Sequence, residues 1–179
     1  GGSALTTLDL SRLDTSHLEW RNDMFYGCSS LTELDMSTFD ISKVTTMENT
    51  FRDCTSLVSL NTKSLYANNL QNLNNTFYNC KSLKSLDLRN FNKAPAFMQA
   101  TFYGCESLED INLNTVGLWY ANYLNDLFNG CKSLKELDLP DGPYNAKDVS
   151  NMFRDCTSLT TIYISNIGWD FRSTPTSDN

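Results

Sequence analysis

The chain has 179 residues, 20% of them charged and 40% hydrophobic, a composition that orders and excludes a disordered chain. Its net charge is −7 and it carries no Lys/Arg cluster, so the basic footprint that nucleic acid or an anionic membrane surface demands is missing. No apolar run is long enough to span a bilayer.

The chain opens Gly1-Gly2-Ser3, without a charged-then-apolar signal segment. Leu5, Leu8, Asp9 and Leu10 match Leu31, Leu34, Asp35 and Met36 with a shift of 26, so the chain begins inside a repeat. The phrase Phe-x-x-Cys-x-Ser-Leu then occurs six times. Its aromatic column is Phe25, Phe51, Phe77, Phe102, Phe128 and Phe153; its thiol column is Cys28, Cys54, Cys80, Cys105, Cys131 and Cys156. The cysteines are 26, 26, 25, 26 and 25 residues apart, and there are no others. A fixed period in this range marks stacked repeats, which grow by adding coils instead of enclosing one central core. The expectation is a single domain over 1–179, excised from a longer repeat protein, with a seventh Phe-x-x-Cys due beyond Asn179.

Residues 31 to 56 serve as the type coil. Leu31-x-x-Leu34-Asp35-Met36 reads as the strand of a leucine-rich repeat, with Leu34 and Met36 inward and Glu33, Asp35 and Ser37 outward. The inward columns are Leu8/Leu34/Leu60/Leu86/Ile111/Leu137/Ile162 and Leu10/Met36/Thr62/Leu88/Leu113/Leu139/Ile164, where Thr62 alone departs. Seven parallel strands follow, making a stack roughly 30 Å long. A large apolar corner comes next, at Leu13, Phe39, Leu65, Phe91 and Val116. Ser16, Ser42, Asn68 and Asn145 then read as helix N-caps. Val44, Met47, Thr50 and Phe51 fall at helical spacing, as do Leu70, Leu73, Thr76 and Phe77, and again Ala121, Leu124, Leu127 and Phe128. Pro95 stands where a helix tolerates it. The residue before each Cys is Gly27, Asp53, Asn79, Gly104, Gly130 or Asp155, types that accept a positive φ, so each short helix should stop there in a left-handed cap. The crossovers should be right-handed.

A metal site is disfavoured for the cysteine column, since each Cys is a full coil from the next and the only histidine is His17. Neighbouring coils would bring the Cα atoms within about 5 Å, inside bridging range, but stacked side chains point the same way and a disulfide needs them turned together. The reading is a buried, reduced ladder in which Cys acts as a small hydrophobe. A catalytic thiol would need a base and an electropositive setting, which six equivalent sites without histidine do not offer.

Two surfaces are candidates for binding. The outward strand column runs Asp9, Asp35, Asn61, Asp87, Asn112, Asp138; Asn between Asp relieves repulsion and adds ladder hydrogen bonds, or the column is an acidic strip for a cationic partner, with Asp35, Asp87 and Asp138 as contacts. Calcium would need more convergent oxygens than one per coil. The second surface is aromatic: Tyr26, Tyr78 and Tyr103 two before Cys, with Arg52 and Arg154 at the same place, and Tyr66, Phe97, Trp119, Tyr120, Tyr123 and Tyr144 in the variable part. Trp119, Tyr120 and Tyr123 stand where the repeat demands nothing; they either pack a corner or anchor a protein or glycan. No nucleotide-binding, nucleophile-elbow or zinc-protease motif occurs, and no cofactor is implied.

The phrases Leu34-Asp-Met-Ser-Thr-Phe39-Asp-Ile-Ser-Lys-Val44-Thr-Thr-Met47 and Met152-Phe-Arg-Asp-Cys156-Thr-Ser-Leu159 resemble the BspA-like leucine-rich repeat surface proteins, in the branch common in mycoplasma lipoproteins and gut bacteria. The resemblance covers residues 4 to 179, and the ending from Gly168-Trp-Asp170 looks like the start of a further repeat. Pro95, Trp119-Tyr120 and Asp141-Gly-Pro143-Tyr144 replace the usual entry to the second half, so no family ligand site carries over there. The resemblance implies a secreted or surface-anchored bacterial protein, an adhesin whose partner is a host or microbial protein or glycan. The expected fold is α/β: a right-handed leucine-rich-repeat-type solenoid of about seven 25–26-residue coils, with a parallel sheet on one face and short helices on the other. The expected function is a non-enzymatic binding or adhesion module; the rival is a passive spacer that projects another domain from the cell. Oligomeric state stays open.

Overall fold

The computed structural model describes residues 2–15, 22–63, 65–91, 95–113, 118–139 and 146–164. The predicted features at Ser16, His17, Val116, Tyr144, Asn145 and Trp169-Asp170 lie outside these residues. Six short strands occur, one per coil: β1 (Glu33–Asp35), β2 (Ser59–Asn61), β3 (Ser85–Asp87), β4 (Asp110–Asn112), β5 (Glu136–Leu139) and β6 (Thr161–Ile164). All pairing is parallel, with Leu34 opposite Leu60, Leu86 opposite Ile111 and Leu137 opposite Ile162. That register stacks one coil on the next, as the period requires.

Two expectations about the strand side are corrected. The strands form three two-stranded sheets, β1-β2, β3-β4 and β5-β6, instead of one continuous sheet, and Leu8–Leu10 forms no strand. Each strand is short because turns close on both sides. Leu31 N–H returns to Cys28 O (3.1 Å) before β1, and Ser37 N–H bonds the Asp35 side chain (2.8 Å) after it. The first coil meets the second through a long bond, Thr32 N–H to Thr6 O at 3.4 Å.

The larger correction concerns the second half of each coil. Among the described residues there is no α-helix; one 3-10 turn spans Leu118–Tyr120. The stretches expected to be helical are stacked turns, and neither Ser42 nor Asn68 caps a helix. Ser42 N–H instead bonds the Asp40 side chain (2.9 Å). A second parallel ladder runs through this side, with Thr46, Asn72, Phe97, Tyr123 and Asp148 bridged in series. Beyond it, alternate N–H groups reach the next coil: Phe51 to Thr76 O (2.9 Å), Asp53 to Tyr78 O (2.8 Å), Phe77 to Thr101 O (2.9 Å) and Asn79 to Tyr103 O (2.7 Å). The N–H groups between them close turns inside the coil, such as Arg52 to Asn49 O (3.0 Å) and Cys54 to Phe51 O (3.1 Å).

Spacing explains why helices are absent. Parallel strands lie about 4.8 Å apart, whereas packed helices need about 8–10 Å between axes. The Phe column measures the rise on the turn side directly. Consecutive rings from Phe25 to Phe153 sit 5.3 to 6.0 Å apart and within 11° of parallel. At that rise one helix per coil would collide with the next. The chain meets the constraint with left-handed residues twice per coil. The predicted position before each Cys is left-handed in all six coils: Gly27, Asp53, Asn79, Gly104, Gly130 and Asp155 have φ of 57° to 79°. A second such column, not anticipated, lies four residues earlier at Asp23, Asn49, Asn75, Ala100, Asp126 and Asn151, with φ of 49° to 67°.

The core is a set of buried columns between the two ladders. Phe51, Phe77, Phe102 and Phe128 are buried, as are Leu31, Leu57, Leu83, Leu108 and Leu134. Thr62, the polar exception, is buried too and donates its hydroxyl to Asp87 O (2.5 Å), which is how the inward column accepts it.

Candidate functional site

The outward strand face is built from two columns. One is Thr7, Glu33, Ser59, Ser85, Asp110, Glu136 and Thr161; the other is Asp9, Asp35, Asn61, Asp87, Asn112, Asp138 and Tyr163. None of the fourteen is buried. Alternation along each strand puts them there, because Leu34, Leu60, Leu86, Ile111 and Leu137 between them fill the core. Across the first four coils the face holds a groove of about 650 Å³ lined by Asp9, Glu33, Asp35, Asn61, Lys63 and Asp87 among others.

The Asp/Asn column has a structural task that sequence reasoning missed. Its first four side chains accept the N–H two residues on: Asp9 from Ser11 (2.9 Å), Asp35 from Ser37 (2.8 Å), Asn61 from Lys63 (3.3 Å) and Asp87 from Arg89 (3.0 Å). These Asx turns end the strands and lead the chain into the corner. The same device recurs at Asp40, Asn72 and Asp148. The signal was present as Asp or Asn at a fixed offset after every Cys from Cys28 to Cys131. The expected ladder bond is also made, since Asn61 donates its amide to Asp35 (2.9 Å).

These bonds hold carboxylates in the charged form. The Ser11 hydroxyl and N–H hold Asp9 below the usual range, and Ser37 N–H and hydroxyl do the same for Asp35. At Asp87 partial burial pushes the carboxyl up, but the Arg89 side chain and N–H outweigh it and hold it low. Arg89 Nε lies 2.7 Å from Asp87 Oδ2.

Asp35, Asp87 and Asp138 therefore lie in one column of β1, β3 and β5. Tyr120 and Tyr123 do not join them. Tyr123 belongs to the second ladder, where its ring stacks on Phe97 (5.6 Å, 5°) and carries Lys147 above its face (5.7 Å). Tyr120 ends the 3-10 turn and is 67% exposed, whereas Leu118 at its start is fully buried. The Trp119 side chain lies outside the described residues. The expected tyrosine ladder before Cys exists at Tyr78 and Tyr103, stacked at 4.6 Å, with the Arg52 guanidinium 4.4 Å above Tyr78. Burial, then Tyr103, pushes the Tyr78 phenol up. The Tyr78 ring is thus engaged by Tyr103 and Arg52, and the Tyr123 ring by Phe97 and Lys147.

The cysteine column is free of disulfides, and five of its thiols are fixed by a repeated bond. The Sγ of Cys54, Cys80, Cys105, Cys131 and Cys156 donates to the carbonyl of the Phe in the preceding coil, Phe25, Phe51, Phe77, Phe102 and Phe128, at 3.1 to 3.3 Å. Burial pushes Cys54 up to about 12 and Cys156 up to about 11, and Cys80, Cys105 and Cys131 far above the ordinary range. The thiolate needed for nucleophilic or metal chemistry is thus suppressed. Among the described residues no three His, Cys, Asp or Glu side chains converge on a metal position.

Two family models match the repeat. One, described as BspA type leucine rich repeat region, matches residues 73–171 in six copies, which is more than half of the chain. The chain belongs to the BspA-type leucine-rich repeat family. The other, described as Mycoplasma protein of unknown function, DUF285, matches residues 2–115, so the two together cover both ends of this BspA-type repeat array. No curated protein matches the chain. Two solved structures are similar to it. A leucine-rich repeat protein from Bacteroides ovatus ATCC 8483 is 25% identical with a TM-score of 0.46, the match covering 77% of this chain and 38% of that one. A leucine rich cell surface protein from Faecalibacterium prausnitzii A2-165 is 15% identical with a TM-score of 0.29, covering 82% of this chain and 69% of that one. The BspA-type array thus spans 38% of the length of the B. ovatus protein.

Proposed function

We propose that this chain is a non-enzymatic binding module of a bacterial cell-surface protein, and that it holds a protein or glycan ligand on the outward strand face. One observation carries the reading: the groove of about 650 Å³ across the first four coils, lined by hydroxyl, amide and carboxylate groups together with Lys63 and the edges of Leu8, Leu34 and Leu60. Such a lining offers many hydrogen-bond acceptors but no base paired to a nucleophile, which suits recognition and not turnover. The surface placement rests on the family membership. We take the coils to wind right-handed, as parallel crossovers do.

The test is a screen of immobilised glycans and extracellular-matrix proteins with the chain and with the variant Glu33→Gln/Asp35→Asn. The expected result is at least one ligand bound by the native chain and weakened in the variant. Binding that the variant retains in full would move the site elsewhere. No binding to any ligand would favour a spacer that only sets distance from the cell.

A further inference from the structure

The fourteen positions of the two outward strand columns contain seven carboxylates and no Lys or Arg. With 21 acidic residues in 179, composition alone would place fewer than two there. The bias belongs to this face. At the corner after Cys80, Cys105 and Cys131, acid and cation alternate: Glu106 receives Lys81 (3.6 Å) and Lys132 (2.9 Å) from the coils on either side. Lys84, Glu109 and Lys135 repeat the alternation three residues on. Coil stacking alone is therefore served by mixed charge, and the chain uses it where stacking is the only task. On the strand face Asp9 adjoins Asp35, and Asp110 adjoins Glu136, in successive coils. Among the described residues, Asp87 is the one carboxylate of the two columns in an ion pair.

We infer that the outward strand face docks an extended Lys/Arg-rich segment of a protein partner, an inference that rests on the binding-module reading above. Charge complementarity selects the sign of the occupant, and geometry selects its form. The carboxylates are strung along the stack at one-coil and two-coil steps, about 4.8 and 10 Å, and do not converge on a point. An extended chain repeats its side chains on one side about every 6.6 Å, and the long stems of Lys and Arg absorb the mismatch. The groove runs over the coils that carry Asp9, Glu33, Asp35 and Asp87, so a strand laid along the stack meets each in turn. Acceptor capacity is also left over. Among the described residues the side-chain carboxylates of Glu33, Asp110 and Asp138 accept no hydrogen bond and join no ion pair, their backbones alone being paired in the strands. At Asp138 the cause is visible in the sequence, because the residue two on is Pro140, which has no N–H for an Asx turn.

The experiment measures binding of a fluorescent oligolysine peptide, long enough to cross four coils, by anisotropy at about 0.15 M salt. The strand-face variant is Glu33→Gln/Asp35→Asn/Asp110→Asn/Asp138→Asn; the corner control is Glu106→Gln/Glu109→Gln. The first keeps the strand turns, since Asn61 already makes that turn with an amide. Expected is a loss of about tenfold or more in the strand-face variant and less than about twofold in the control. Equal losses in both, no binding of oligolysine, or displacement by spermine as effective as by the peptide at equal charge would overturn the inference. The same proteins go through the glycan and matrix screen. A ligand lost only in the strand-face variant, with oligolysine unbound, overturns the basic partner but keeps the binding module. No ligand of any kind overturns both.

Discussion

Ala100 separates the stacked-turn architecture from a helical one by the sign of a single substitution. Its φ is +49°, in a column otherwise held by Asp23, Asn49, Asn75, Asp126 and Asn151. A left-handed backbone costs an ordinary L-residue about 1–2 kcal/mol, and Asn lowers that cost through its short polar side chain. Ala100→Asn should therefore stabilise by about 0.5–1 kcal/mol, which for a chain of this length raises the melting midpoint by about 1–4 °C. Space is not the obstacle, because Asn75 occupies the equivalent site one coil earlier. Ala100→Gly should gain less, since glycine gives back about 0.5–1 kcal/mol in chain entropy. The mirror variant, Asn75→Ala, should destabilise by about the amount that Ala100→Asn gains.

A helical second half would reverse every sign. Alanine is the best helix former, so Ala100→Asn would cost up to about 0.7 kcal/mol and Asn75→Ala would stabilise. Thermal melts read the difference, and urea midpoints at unchanged slope confirm that the native state and not the unfolded chain has moved. A fall in midpoint for Ala100→Asn together with a rise for Asn75→Ala refutes the left-handed column and the stacked turns with it.

Three further outcomes are expected. Far-UV circular dichroism should show a turn and strand spectrum without the paired minima of helix; a helical spectrum would contradict the second ladder. Alkaline stability should collapse early, because a thiol ionises near pH 9 in the unfolded chain but stays protonated to about pH 12 at Cys54. Stability from the Cys54 thiol is thus complete below pH 9 and lost as pH rises toward 12, at up to about 1.4 kcal/mol per pH unit; a flat urea midpoint from pH 9 to 11 would refute it, as would native thiols that react before unfolding. Gly104→Ala should cost more than Gly27→Ala, although both have φ near +70°, since an added Cβ at Gly104 would lie 2.7 Å from Asn79 Oδ1 while at Gly27 it meets nothing; equal costs in urea would mean Asn79 moves aside freely.

Much of this was legible in the sequence, and the failures are specific. The Phe-x-x-Cys phase placed the inward columns of the middle coils, whereas at the two ends, where no described coil covers them, the predicted inward Ile164 and corner Leu13 are exposed; the Asp, Asn and Gly types before Cys marked the left-handed position correctly. The i, i+3, i+7 spacing of Val44, Met47 and Phe51 misled, because a coil that turns back on itself every three or four residues buries the same positions as a helix does. Asn49, Asn75, Asp126 and Asn151, five before each Cys, were the contrary signal, since helix interiors do not favour Asn or Asp at a fixed place. Ala100 hid that column in the fourth coil. The Asp/Asn strand column was read as surface charge, and its turn bonds needed coordinates to be seen. The aromatic pair Trp119-Tyr120 was grouped by sequence with Tyr123, but Tyr123 is committed to Phe97 and Lys147 in a ladder of its own.

The nearly equal rise on both sides of each coil ties architecture to recognition. Where helices back a parallel sheet, their greater width opens the outer side and the sheet curves inward. Here the Phe rings on the turn side climb 5.3 to 6.0 Å per coil against about 4.8 Å on the strand side. The mismatch is under about 1.2 Å per coil, so the strand face stays close to flat. A flat face does not enclose a small molecule, and the groove on it crosses four coils. What such a face repeats faithfully is distance along one axis, with one outward position per column per coil. The Phe and Cys columns hold that ruler constant through the core while the outward residues change from coil to coil. An extended polymer is the class of ligand that reads a ruler, and the carboxylates supply the marks.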